Sequence, residues 1–190
     1  NDAMSTGRFT IVKPKDSDEN YYSIKKGEDY DLDNKPTFIK YIEKSFELIH
    51  PAVINLSGYS ILKPILYYKC THAPLYIENI ELSDKNIQII FIGIASGLSY
   101  LLSKNYYILD FSIEKVIFSE NSFPMLIDYI NFTDFDQNHY DDMIQQYAKL
   151  IQDVINKKKE EDSSVQINEK LKTLIDRCEQ KGNLPTFEDY

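Results

Sequence analysis

Two aspartates stand out because their surroundings do not explain them. In YYILDFSIEKVIFSENSFPMLIDYI, residues 106–130, Asp110 and Asp128 lie 18 positions apart, each at the edge of a short apolar run. A polar turn, SENS, separates the runs. An ionised carboxylate only accepts hydrogen bonds, so it can take up a proton or ligate a hard cation. It can equally cap a loop and do no chemistry. Spacing alone does not choose among these.

The elements around them can be read from periodicity. GRFTIV (7–12) and YYSIKK (21–26) are β-prone runs joined by a polar loop, which predicts a hairpin. From Thr37 the apolar residues Phe38, Ile42, Phe46 and Ile49 recur at three and four, a helical stripe expected to end at Pro51. VINLSGYS and PILYYKC predict two further strands around a turn. Ser83 is placed to cap a helix carrying Ile87, Ile90, Ile94, Leu98 and Leu101, with Gly93 and Gly97 four apart on it. The stretch 106–130 reads as two short strands. An Asp- and Asn-rich loop runs to about Tyr140. Met143, Tyr147, Leu150, Ile151, Val154 and Ile155 then predict a second apolar helix. A charged loop (156–164) leads to a last amphipathic helix with Ile167, Leu171, Leu174 and Ile175. Strands and one helix come first and helices follow, which is an α+β outline in two lobes.

Composition narrows the function. The chain has 190 residues and a net charge of -9. Nucleic acid is excluded as an expected partner, because phosphate neutralisation needs clustered Lys and Arg. The densest basic run, Lys157–Lys159, is followed at once by Glu160, Glu161 and Asp162. Cys70 and Cys178 have no nearby cysteine partner and, with three scattered histidines, make no metal pattern. Free thiols fit a reducing compartment, so a cytoplasmic location is expected. No apolar run is counted as approaching the ~20 residues that span a bilayer, so no membrane partner is expected. Residues 1–3, ahead of Met4, are set aside from fold reasoning.

With these residues in view, the chain resembles a protein kinase domain, most similar to the tyrosine-kinase-like group. GIASGLSYLLSKNYYILDFSIEKVIFSENSFPMLIDYI resembles the kinase segment G-I-A-x-G-L-x-Y-L-H-S … H-R-D-L-K-P-x-N-I-L-L … D-F-G without a gap. Asp110 falls on the catalytic-loop Asp and Asp128 on the Asp of D-F-G. Ser5–Val12 resembles the Gly-rich loop, with Gly7 alone of its glycines kept and Val12 at its end. Tyr22-Ser23-Ile24-Lys25 resembles V-A-I-K. HPAVINLSGY (50–59) resembles H-P-N-I-V-x-L-x-G-Y, and CEQKGNLPTF (178–187) the end of the kinase domain. The resemblance implies a bilobal fold over 4–190. A small β-rich N-lobe with its αC helix would span 4–69, and a reduced helical C-lobe 70–190. The C-lobe would lack most of the activation segment and αG, and the first N-lobe strand would be missing.

The resemblance also implies roles, and many are spoiled. Lys25 would pair with phosphates, Asp110 would be the base and Asp128 a magnesium ligand. The second metal ligand, an Asn, is Lys115, and a lysine cannot ligate a cation. The catalytic-loop lysine is Ser112, and the His and Arg of H-R-D are Ile108 and Leu109. The αC Glu falls on Tyr41, with Glu43 two residues on. Tyr68 stands at the gatekeeper, bulky enough to restrict an adenine pocket, and Lys69 follows it. The A-P-E segment is not visible, and its arginine partner is Leu184. Asp141 or Asp142 matches the aspartate that holds the catalytic-loop backbone. The expectation is therefore a pseudokinase and no enzyme, a scaffold or allosteric module for a protein partner such as an active kinase or other domains of a larger assembly. No cofactor is expected. The alternative is a nucleotide-binding domain or atypical kinase with residual phosphotransfer, contacting ATP through Gly7, Val12, Lys25, Tyr68 and Asp128, with or without magnesium at Asp128.

Overall fold

The computed structural model describes residues 4–5, 10–12, 20–25, 39, 42–60, 65–70, 75–108, 110–131, 137–161 and 169–179. Gly7, Tyr41, Leu109, Leu184 and Ile167 lie outside these residues, as does residue 180 onward of the C-terminal motif. The chain is mixed α+β and divides into two compact units, Asn1–Pro74 and Leu75–Tyr190.

The first unit is built on a five-stranded antiparallel sheet. Its strands are β1 (Met4–Ser5), β2 (Thr10–Val12), β3 (Asn20–Lys25), β4 (Leu56–Ser60) and β5 (Ile65–Cys70), in the order β1-β2-β3-β5-β4. The predicted hairpin of β2 and β3 is present, with Ile11 opposite Tyr22. The first strand expected to be missing is present too, since Met4 pairs with Ile11 and Ser5 with Thr10. Between β4 and β5 the register slips at Leu56/Gly58, and the Ser57 hydroxyl there accepts the Lys69 N–H at 3.1 Å. The bulge leaves an odd residue, and its own side chain satisfies the donor opposite it.

The helical stripe is shorter than predicted. Residues 42–45 are helical, and a turn follows before Pro51. Ile42, Ser45 and Leu48 are buried, whereas Phe46 is 45% and Ile49 77% exposed. The turn takes Phe46 and Ile49 off the buried face and leaves Leu48 on it, and the helix stops before Pro51.

Among the described residues the second unit holds three α-helices. The first, α1 (Asp84–Ser103), begins as predicted: the Ser83 hydroxyl accepts the Asn86 N–H at 3.3 Å. Ile87, Ile90, Ile94, Leu98 and Leu101 are buried. At 20 residues α1 is long and apolar enough to cross a membrane, which corrects the count made from sequence. Half of it is buried within the protein, as in a core helix. The second, α2 (Gln137–Glu161), buries Met143, Tyr147, Leu150, Ile151, Val154 and Ile155. It runs through residues 156–161, where a charged loop was expected. The third, α3 (Glu169–Glu179), packs against α2 and buries Ile175.

Residues 106–131 form four short strands rather than two. They are β6 (Tyr106–Tyr107), β7 (Val116–Phe118), β8 (Pro124–Leu126) and β9 (Ile130–Asn131). β7 pairs with β8 and β6 with β9, both antiparallel. The polar turn closes β7 on β8, with the Ser119 N–H donating to the Phe123 carbonyl at 2.9 Å. One contact locks this region to α1, and a second bond ties α1 to α2. Pro124 sits on Gly93 of α1, so close that a Cβ at Gly93 would lie 2.5 Å from the Pro124 Cγ. The buried Tyr147 hydroxyl of α2 donates to the Phe91 carbonyl of α1 at 2.9 Å.

Candidate functional site

The nested pairing explains how the two aspartates come together. The β6–β9 ladder closes the outside of the stretch, and the β7–β8 hairpin closes the inside. Residues 108, 110–115 and 127–129 are left between the two ladders. The hairpin runs one step beyond its strands, because the Ile127 N–H donates to the Lys115 carbonyl at 3.1 Å. Lys115 and Asp128 are thereby neighbours across the chain, although 13 positions separate them in sequence.

Lys115 ends a single 3-10 turn, Ile113–Lys115, in which its N–H donates to the Ser112 carbonyl at 2.9 Å. From there its ammonium donates to the Asp128 Oδ2 in a short ion pair. The Lys115 side chain is 27% exposed and the Asp128 side chain 13%. Burial pushes the Lys115 ammonium below the ordinary lysine range, while Asp110 and then Glu114 pull it back up. One ammonium therefore serves three carboxylates: it bonds Asp128 and feels Asp110 and Glu114 through space.

The backbone is unusual at both aspartates. Asp110 has φ 49° and Asp128 φ 66°, in the left-handed region. Aspartate tolerates this region better than most residues, yet it is disfavoured by roughly 1–2 kcal/mol. Such outliers persist where neighbouring structure fixes them. Around Asp110, Ile108 and Phe111 are buried on either side. The Phe111 N–H donates to the Gln146 Oε1 of α2 at 2.6 Å. Around Asp128, Ile127 and Tyr129 are fully buried, and the Tyr129 ring meets Tyr106 edge to face at 5.8 Å. Asp110 itself is exposed and Ser112 half-buried.

Gln146 is the residue that sequence reasoning missed. The hold on the loop backbone was expected from Asp141 or Asp142, one helical turn earlier. The bond to the Phe111 amide is made by Gln146. The signal was present, since Gln146 is one position before the buried Tyr147 on an otherwise apolar stripe.

The other predicted positions belong to the first unit. Val12 ends β2 and Lys25 ends β3, opposite Ile65. Tyr68 lies in β5 between Tyr22 and Leu56 and is fully buried.

The resemblance to kinases implies magnesium held by residues 115 and 128. These residues do not fit a divalent cation. An ammonium has three donors and no lone pair, and it already occupies the Asp128 carboxylate. Among the described residues no group of three or more His, Cys, Asp or Glu could hold a metal.

No protein-family model matches the chain. Among curated proteins it is similar to the probable serine/threonine-protein kinase samkA of Dictyostelium discoideum, with 29% identity over 138 residues. That match covers 67% of this chain and 21% of the relative, so the chain spans about a fifth of the relative's length. The chain is kinase-like at this level, and its mixed α+β architecture is compatible with a kinase-like fold. The expectation that the chain is no enzyme is corrected here, because the relative is named a probable kinase and points toward an enzyme.

Proposed function

We propose that the chain is an atypical kinase-like domain that binds a nucleoside triphosphate and passes on its terminal phosphoryl group slowly. The observation that carries this reading is the loop cluster of Asp110, Lys115 and Asp128, fixed from both sides by backbone pairing. Phosphoryl transfer is mainly positioning and charge neutralisation. Asp110, exposed and held by its buried neighbours, is the group available to accept a hydroxyl proton. Lys115 is the fixed positive charge beside it. The kinase named above supports the reaction class. The tyrosine-kinase-like assignment, the two-lobed arrangement and the roles of Gly7, Val12, Lys25 and Tyr68 are parts of the same proposal and rest on the sequence motifs. The scaffold role rests on the same worn motifs, and the ordered cluster favours it less.

A thermal melt with ATP tests binding. At 100 times its Kd a ligand stabilises by about 2.7 kcal/mol, a shift of several degrees for a protein of this length. Phosphotransfer is then followed with labelled ATP in the wild type and in Asp110→Asn, which keeps the left-handed backbone. The expected result is a shift on ATP and a slow transfer lost in the variant. A protein that neither shifts nor transfers overturns the proposal.

A further inference from the structure

We infer that the Lys115 ammonium permanently takes the place of a divalent cation at Asp128, so that this loop handles phosphate without metal. The argument begins with register. The bond from the Ile127 N–H to the Lys115 carbonyl continues the β7–β8 hairpin, and it fixes the root of the lysine beside residue 128. The lysine stem needs no search to find its partner, and the ammonium reaches the Asp128 Oδ2 directly. The ammonium therefore sits on one of the two oxygens that a cation entering at Asp128 would use, and the other, Oδ1, is buried.

Charge points the same way. Asp110, Glu114 and Asp128 would together attract a cation, but the pull of all three already falls on one ammonium. A magnesium ion would have to lie against that ammonium in a partly buried loop, where like charges are weakly screened. Magnesium also gives up its water shell reluctantly and needs oxygen ligands in near-octahedral array. Lys115 contributes none. The backbone strain fits as well. Asp128 sits at φ 66° next to the buried Tyr129, and its own side chain is only 13% exposed, so little room beside the carboxylate is open to solvent. A phosphate-bearing ligand is therefore met by a tethered cation that adds one positive charge and brings no metal.

The inference takes its interest from the proposed function, but its test does not depend on it. Mn²⁺ is titrated into the protein alone and followed by electron paramagnetic resonance, with no nucleotide present. The wild type is expected to show no saturable Mn²⁺ binding. Lys115→Asn removes the ammonium and supplies an oxygen, so it should gain a site that is lost again in Lys115→Asn/Asp128→Asn. Saturable binding by the wild type that disappears in Asp128→Asn overturns the inference, and needs no Lys115 variant to fold. A folded Lys115→Asn protein that gains no site also overturns it, since Lys115 would not be what excludes the ion. If ATP binds, its thermal shift should be unchanged by EDTA. Loss of the shift in EDTA would count against the inference and leave nucleotide binding intact. A protein silent to ATP but behaving as expected with Mn²⁺ would defeat the proposed function alone.

Discussion

Lys115 shows how far a substitution can be read before its neighbours are known. The sequence placed a lysine where a metal ligand would stand, and it left open whether a role was lost or a charge gained. The answer depends on hairpin register, which brings Lys115 to Asp128. His50 offers a cleaner test of charge. Its Nδ1 accepts the Ala52 N–H at 3.1 Å, which requires the nitrogen to be unprotonated. Burial lowers its pKa from the ordinary 6.5. Below pH 6.5 the unfolded chain therefore takes up a proton that the folded chain resists. Stability should fall as pH drops below this value, and stop falling once the folded imidazole is also charged. His50→Asn keeps an acceptor oxygen and cannot titrate. Its urea midpoint between pH 8 and pH 5 should vary less than the wild type's. The difference is expected below about 1 kcal/mol, because the ring is only partly buried. Equal slopes would refute this account of His50.

Long elements declared themselves in the sequence and short ones did not. Helix α1 shows both its serine cap and five apolar residues at helical spacing, and α2 shows six. The strands between them are two or three residues long, too short to display alternation, so 106–130 was read as two strands instead of four. The stripe of residues 38–49 misled for a different reason. A period continues in the sequence after the backbone has turned away, and Phe46 and Ile49 then face solvent. The glycines of α1 were ambiguous as well, since close packing and mere tolerance look alike in a sequence. Gly93 proves to be a contact. Alanine there would gain about 1 kcal/mol of helix propensity but drive its Cβ into the Pro124 ring, 2.5 Å away. Overpacking of this kind costs about 1–3 kcal/mol. Gly93→Ala is expected to lower the melting temperature, and Gly93→Ala/Pro124→Ala to recover part of the loss. A more stable Gly93→Ala protein would show that β8 yields easily.

The molecule as a whole is acidic, and this bears on any phosphate ligand. A net charge of -9 repels a polyanion at long range, whatever one lysine does at short range. Raising ionic strength from about 20 to about 200 mM shortens the screening length to less than 10 Å. ATP association, measured by stopped flow, is expected to speed up with salt. A rate that falls with salt would mean that the field near Lys115 dominates the approach. The kinase-like motifs were readable because their order survives along the chain. The grip on the loop that bears Asp110 was not, because it passes between residues 35 apart, Phe111 and Gln146. That grip is made by a neutral amide. A carboxylate in its place would change its charge and the strength of this bond as it took up a proton, whereas Gln146 has no proton to take. The acceptor that moors the loop bearing Asp110 to α2 is therefore the same at every pH at which the protein is folded.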